Sequence, residues 1–393
     1  MRSQYECGSI ADLKETKQLG SILCQSFGSS DSFWETFIDG IGAENLRILR
    51  QNGEIIGGLV VYPMGQWYGG LRVSMAGISA LGIAPEYRGR GAAEALMNYV
   101  VRELQEDKFA LSALYPATQR LYHKIGYDRA GSYCIWEIPT ASINTICNRQ
   151  LSMSRVDLKD YRVFEDLYRQ QAKNNNGNLD RHRAIWQRIV ETSEDIEIYA
   201  YLFGDRSEPE GYIIFTQEKE QEEKIIKVRD RALLTTAAIK DFWSFLGGHR
   251  SMFKKVLWKS SPVDPLSLLL SEQTAKIYHR EDWMLRIIDV SSALMQRGYP
   301  LGIERELHLE IIDEKIPANN GKFCLKVHKG KAEVIRGGKG ELKIDIKGLN
   351  CLYSGLFSPA QLGLTGYLET TKEALLTAKL LFSGIVPWMA DFF

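Results

Sequence analysis

The segment LGIAPEYRGRGAAEALMNYV, residues 81–100, carries the densest chemical content of this 393-residue chain. A strand through Leu81, Gly82 and Ile83 enters a turn, Ala84–Gly91. A helix follows, in which Ala92, Leu96, Tyr99, Val100 and Leu104 recur at helical spacing. Arg88, Gly91 and Ala93 form the pattern R-x-x-G-x-A, with Gly89, Arg90 and Ala92 between them and Glu94 after. Such residues can make an anion cradle. The first amides of a helix lack an intrahelical acceptor and the helix dipole favours negative charge there. A glycine lets a pyrophosphate approach the backbone with no Cβ in the way. The same residues could instead form an ordinary basic strand–helix turn. Other phosphate loops are excluded, because there is no G-K-[ST] and no G-x-G-x-x-G after a strand.

A second segment, ALYPATQRLYHKIGYDRAG (113–131), reads as a short helix Ala117–Ile125 stopped by Gly126, then a strand from Tyr127. It contains Y-x-x-x-G-Y, with Tyr122 and Tyr127 at its ends. Tyr127 reads as core, and Tyr122 as either a packed aromatic or a functional phenol.

The elements that must position these residues alternate along the first 140 residues. Asp12 caps a predicted helix to about Phe27, and Ser32–Ile41 gives a second. Asn52-Gly53 marks a hairpin between Leu46–Gln51 and Ile55–Tyr62, and Leu71–Ile83 is a long strand. A polar stretch, 139–160, reads as a linker. Residues 160–192 read as helical, interrupted at Asn174–Gly177. Strands follow at Ile196–Phe203, Gly211–Thr216 and Ile225–Ala232, with the charged run EKEQEEK (218–224) as a solvated hairpin loop. Residues 266–277 read as helix and Trp283–Val290 as strand. The last hundred residues predict an antiparallel set (Leu307–Ile312, Gly321–Val327, Lys331–Val334, Glu341–Ile346), two helices near Ser358–Leu362 and Thr370–Leu381, and the apolar tail IVPWMADFF.

The strand, the Ile83-Ala84-Pro85 step, the R-x-x-G-x-A turn, the amphipathic helix and the Y-x-x-x-G-Y segment together resemble the GNAT superfamily of N-acetyltransferases. That resemblance implies acetyl-CoA as co-substrate and no metal. It implies that Leu81, Gly82 and Ile83 pair with the pantetheine as an added strand. It also implies that Arg88, Gly89, Arg90, Gly91, Ala92, Ala93 and Glu94 surround the pyrophosphate. Ala117 and Thr118 align with a further CoA-contacting pair; the family's usual Ser is Ala at 117, so only Thr118 offers a hydroxyl. Tyr122 aligns with a tyrosine that protonates the departing thiolate, a role suited to a phenol with an ordinary pKa near 10.

The whole-chain layout resembles the enhanced intracellular survival (Eis-like) acetyltransferases. It implies an α/β (α+β) chain with two GNAT-like domains, 1–145 and 146–290, and a sterol-carrier-protein-like domain at 291–393. In 146–290 the best counterpart of the cradle, VRDRALLTTAAIKDF (228–242), contains no glycine. In that family the terminal carboxylate, usually on Phe, accepts the amine's proton; here the match is Phe393. The alternative is a frayed terminus, against which the apolarity of Ile385–Phe393 argues. Phe27, Phe33, Trp34 and Phe37 are candidates for the acceptor pocket. The family implies a closed homo-oligomer, often a hexamer, for which Trp67 and Tyr68 offer an interface or a pocket lip.

Composition is that of an ordinary globular protein, 45% hydrophobic and 25% charged, with 49 basic and 49 acidic residues. Nothing in that balance suggests a nucleic-acid partner, which would require a basic face; it leaves a local basic patch open. The six cysteines (7, 24, 134, 147, 324, 351) form no C-x-x-C pair and none sits at metal-ligand spacing from a His, so they read as reduced thiols. With no apolar leader and no membrane-length apolar run, a cytoplasmic location is expected. The acceptor reads as an amine of a small molecule or peptide. Two other readings stand beside acetyl transfer: a lipid or small-molecule binding protein working through the last domain, and transfer of longer acyl groups.

Overall fold

The computed structural model describes residues 5–143, 149–191 and 196–393. The strands are β1 (Glu6–Ser9), β2 (Leu46–Gln51), β3 (Glu54–Tyr68), β4 (Leu71–Ile83), β5 (Leu111–Leu114), β6 (Asp128–Pro139), β7 (Met153–Arg155), β8 (Leu179–Asp180), β9 (Ile198–Gly204), β10 (Pro209–Glu220), β11 (Glu223–Leu233), β12 (Lys255–Ser260), β13 (Lys276–Ile287), β14 (Arg305–Ile312), β15 (Gly321–His328), β16 (Lys331–Arg336), β17 (Leu342–Asp345) and β18 (Leu368–Thr370). The helices are α1 (Leu13–Phe27), α2 (Asp31–Ile41), α3 (Ala92–Glu106), α4 (Gln119–Ile125), α5 (Arg162–Lys173), α6 (Arg183–Val190), α7 (Thr236–Gly247), α8 (Val290–Gln296), α9 (Ile346–Ser354), α10 (Pro359–Leu364) and α11 (Lys372–Leu381).

β1 to β13 build one sheet in the order β1-β2-β3-β4-β5-β13-β6-β12-β11-β10-β9-β7, with β8 against β3. Two runs of the chain, each a strand–helix series, meet in its middle by exchanging their last strands. β6 pairs with β12, and β13 lies between β5 and β6. Helices cover both faces of the sheet's first half, so β5 is buried at every residue rather than alternating. On one face α3 and α4 bury Leu96, Val100 and Ile125 against Ile78 and Leu114. On the other, α1 and α2 bury Leu19, Leu23, Trp34 and Ile38 against Tyr62, Met64 and Met75. Each such side chain contributes about 1.5–3 kcal/mol by leaving water.

The remaining residues form a second sheet, β16-β15-β14-β17-β18, packed with α8 to α11. It departs from the predicted antiparallel set, because β17 runs parallel to β14. The chain leaves β16 through the Gly337–Gly340 turn and lies along the other edge of β14. α9 is also new. Asp345 caps it by accepting from Gly348 N, ending β17 where the sequence pattern suggested more strand. Residues 266–277 are not a helix: only the 3-10 turn Pro265–Leu269 forms, and β13 begins at Lys276. The two sheets are clamped by buried polar contacts. Arg286 Nη2 donates to both oxygens of Asp313 at 2.7 and 2.8 Å, and Asn350 Nδ2 donates to Gly126 O at 2.9 Å.

Candidate active site

β4 pairs with β3 along its length, with one irregularity opposite Leu59, where Ala80 takes φ +52°. A left-handed residue carrying a Cβ is uncommon and typical of a bulge. On its other side β4 pairs with β5 only from Met75 to Ile78. Ser79–Ile83 therefore presents an open edge among the described residues. Backbone groups alternate in direction along a strand. Ala84 N donates to Ile56 O of β3 at 2.8 Å, so Gly82 faces β3 while Leu81 and Ile83 face the opening. Gly82 answers a packing need: a Cβ there would lie 2.7 Å from Leu23 Cδ2 of α1.

The turn after β4 is held by its own arginine. Arg88 Nε donates to Ile83 O at 2.8 Å and Nη2 to Ser26 Oγ at 3.2 Å, so this side chain fastens the turn. Gly89 and Gly91 take φ +74° and +83°, which favours glycine. α3 has no side-chain cap, and a Cβ on either glycine would meet nothing within 4 Å. Its first amides thus open onto free space. Arg90 is exposed, Ala92 is buried under the helix, and Glu94 is held by Lys124 at 3.6 Å and Lys315 at 3.9 Å. α4 starts at Gln119 rather than Ala117. Ala117 and Thr118 therefore lie in the loop before it, and Thr118 caps the helix without engaging its hydroxyl.

Tyr122 is 6% exposed and belongs to the apolar cluster on the α3 face. Burial pushes its phenol up to about 12. Its ring lies 6.1 Å from that of Tyr127, which is fully buried and donates to Ser112 Oγ at 2.8 Å. His123 points elsewhere: Nε2 sits 2.8 Å from Asp128 Oδ2 and 3.4 Å from the Tyr367 hydroxyl.

The tail is folded into the large sheet. Met389 N donates to Ser132 O, Ser132 N to Pro387 O, and Trp388 N to Asn176 O. Asp391 is the anchor. Arg181 reaches it at 2.9 and 3.0 Å, and the Tyr168 hydroxyl donates to it at 3.3 Å. The same Arg181 makes a bidentate pair with Asp230 at 2.7 and 2.8 Å and lies 3.6 Å above the Tyr168 ring. Burial raises the Asp230 carboxyl, and Arg181 and Tyr212 override it, leaving it below the usual carboxylate range. Phe393 is 5% exposed, with its ring centroid 6.0 Å from Tyr62 and 5.7 Å from Tyr115. A Cβ on Gly77 of β4 would lie 2.7 Å from Phe393 Cε2. Phe393 thus rests on β4 just before its open edge.

Two clefts flank α6, and one of them reaches the tail. One of about 1060 Å³ lies between α2 and α6, lined by Phe33, Phe37 and Tyr62. A smaller one, about 400 Å³, lies between α6 and the sheet and reaches Asp391 and Phe392. Arg188 and Arg229 line both. Of the four candidate acceptor aromatics, Phe33 and Phe37 line the larger cleft. Trp34 is core, donating to Ser29 Oγ, and Phe27 packs on it.

Sequence reasoning missed Arg181, Asp230, Tyr168 and Asp391, because the four come from separate elements and no spacing links them. Trp67 and Tyr68 are not exposed. They are buried at 6% and 0%, Tyr68 stacking edge-on with Tyr353 at 5.0 Å, so they join parts of one chain. The run 218–224 is a hairpin, yet Glu218 and Glu220 bind Lys227 at 2.7 and 2.9 Å. No disulfide joins the five described cysteines; Cys147 lies outside the described residues. Cross-strand pairing of His308 with Cys324 does bring a His beside a Cys, with Glu306 near, although Lys326 holds that carboxylate at 2.9 Å. Among the described residues no helix is long and apolar enough to cross a membrane.

Family models described as acetyltransferase (GNAT) domains match residues 10–130 and 177–287, and one described as a sterol carrier protein domain matches 290–390. The crystal structure of a GCN5-related N-acetyltransferase from Anabaena variabilis is 51% identical, with a TM-score of 0.97 over 99% of this chain and 100% of that one. A GCN5-related N-acetyltransferase from Kribbella flavida is 26% identical, with a TM-score of 0.86 over 99% and 98%. N-acetyltransferase Eis of Mycobacterium tuberculosis is 25% identical over 370 residues, 88% of each chain.

Proposed function

The chain belongs to the GCN5-related N-acetyltransferases, in their Eis-like branch, and from that premise we propose that it moves acetyl from acetyl-CoA to a primary amine by direct transfer. The backbone of Leu81 and Ile83 pairs with the pantetheine, and the amides of Gly89–Glu94 hold the pyrophosphate, with the Thr118 hydroxyl beside them. The amine approaches from the α2–α6 side. The α-carboxylate of Phe393 takes a proton from the ammonium, and the freed nitrogen attacks the thioester carbon. As the carbon–sulfur bond breaks, Tyr122 gives its proton to the thiolate, and the nitrogen's surplus proton, released through solvent, restores the phenol. Burial keeps this phenol protonated at neutral pH, so the proton is present when the thiolate leaves.

One observation carries the reading: Phe393 is buried against Gly77, beside the stretch Ser79–Ile83 of β4 that β5 leaves unpaired. Tyr122 lies on the opposite face, so amine and cofactor would meet in the opening between these strands. On this reading the parts divide as 1–145 for acetyl-CoA, 146–290 for the acceptor wall, and 291–393 for delivery of the tail. Adding a short Gly-Ser extension after Phe393 tests it. Release of CoA thiol should be abolished while acetyl-CoA binding survives. A tailed protein with full turnover would remove Phe393 from the mechanism.

A further inference from the structure

A carboxylate at the end of a chain has no direction of its own. Packing of the Phe393 ring fixes the ring and leaves the α-carboxylate free to turn about the last backbone bonds. A fixed point upstream must supply the direction, and Asp391 is held from two sides. Its backbone carbonyl accepts from the Tyr115 hydroxyl at 2.8 Å, and the Phe392 ring lies 4.4 Å from that of Tyr115. Its side chain meets Arg181 at 2.9 and 3.0 Å. Arg181 is itself held in place. Asp230 binds it bidentately and is fixed in turn by the Tyr212 hydroxyl at 2.6 Å, while the Tyr168 and Trp186 rings lie 3.6 and 4.5 Å from the guanidinium. Lys259 attracts both carboxylates as well, so two anions face two cations. A planar guanidinium can span two carboxylates in one geometry, which an ammonium cannot. A buried ion network adds little stability over apolar packing of the same volume; what it adds here is a defined position for Asp391.

We propose that Arg181 is a positioning residue for acetyl transfer: by holding Asp391, it aims the Phe393 carboxylate two residues further on. Arg181, Asp230 and Tyr212 all lie within the second GNAT match, and Tyr115 within the first. The second GNAT-like domain thus has a task that needs no cofactor, which is to present the base to the first. The inference rests on Phe393 being the proton acceptor. Arg181 touches neither substrate nor cofactor in this account. It acts through the tail alone, by sparing the last two residues the conformational freedom that ends of chains usually keep.

Two measurements on the full chain test this. Carboxypeptidase A should release Phe393 slowly from the parent and about 10- to 100-fold faster from Arg181→Met, the scale of hydrogen bonds to a charged group. In CoA thiol release with propane-1,3-diamine, the same variant should lose about 10- to 100-fold in kcat, the scale of a misplaced catalytic group. The KM for the amine, and acetyl-CoA affinity by calorimetry, should stay nearly unchanged. Arg181→Lys, which keeps the charge and loses the fork, should fall between. Asp391→Ala leaves the Arg181–Asp230 pair intact and gives the same reading if Arg181→Met does not fold. Equal release of Phe393 from parent and variants overturns the anchor, and a loss confined to KM or to acetyl-CoA affinity overturns the positioning role. Faster release with full kcat is resolved by the Gly-Ser extension. An inactive extended chain then sinks the positioning role alone, and an active one removes Phe393 from the mechanism as well.

Discussion

At the end of β4 the chain turns into α3 through Gly89 and Gly91; at the end of β11 it turns into α7 through Leu234 and Thr235. The two places share a scaffold: a strand paired antiparallel on one side, parallel for only a short register on the other, and a helix beginning just beyond. They differ in what fills the hydrogen-bonding positions. Along β4, Leu81 and the amide of Ile83 face an opening. Along β11 the equivalent groups are taken by Gln171, whose Nε2 donates to Arg231 O at 3.2 Å and whose Oε1 accepts from Leu233 N at 3.1 Å. The start of α3 has no side-chain cap. In α7, Thr235 accepts from Ala238 N and donates to Glu210, whose carboxylate would repel a phosphate. Beyond the next strand, the place of α4 and Tyr122 is occupied by the 3-10 turn Pro265–Leu269, which has no tyrosine. A ligand site can thus be closed within an unchanged scaffold by a few side chains that satisfy the backbone themselves.

The comparison is broken most readily at Tyr122. If the first half alone donates the proton, Tyr122→Phe should lower kcat by about 10²- to 10⁴-fold with acetyl-CoA affinity nearly intact, as read by steady-state kinetics and calorimetry. Next is Gly91→Val. A β-branched residue at φ +83° is strained, and its Cβ would project into the free space before α3. Acetyl-CoA affinity should fall by at least about fivefold, the lower end of what one strained residue costs; undiminished affinity would refute the cradle. Calorimetry of the parent protein should find one acetyl-CoA per chain, and Gln171→Ala should not add a second, because Thr235 and Glu210 still close the turn. That variant should instead lose about 1–3 kcal/mol of stability for the unsatisfied backbone groups, measured by denaturant unfolding. The smallest effect concerns pH. With Tyr122 raised to about 12, its protonated form persists through the alkaline range. The profile of kcat between about pH 8 and 10 should therefore show no decline that Tyr122→Phe removes.

How much of this is legible in the residues depends on the distance between them. The β4 strand, the turn and the start of α3 are continuous in the chain, and their periodicity and glycines state them directly. Tyr122 is also local, tied to Gly126 and Tyr127 by one short helix. The tail's burial is hinted at by its apolarity, but its anchor is not: Arg181, Asp230 and Asp391 meet only after the sheet has formed. Gln171 looks like any polar residue on α5, since a side-chain amide standing in for a strand leaves no pattern. The parallel pairing of β17 with β14 was missed because strand direction is a matter of connection, which local alternation does not encode. Arg88 teaches the reverse lesson. It belongs to the motif, yet its guanidinium fastens Ile83 and Ser26 instead of extending into the cradle.

The exchanged strands have a consequence for synthesis. β5 cannot acquire its second neighbour until β13 has been translated, long after β6 has emerged, and β6 must wait for the same strand and for β12. A chain elongating at about 5–20 residues per second therefore spends several seconds with a half-built, apolar sheet edge exposed. High contact order of this kind slows folding and leaves strand edges open to wrong partners. The first half should accordingly be a poor independent folding unit, since the edge it exposes when expressed alone is one that only its own later sequence can cover.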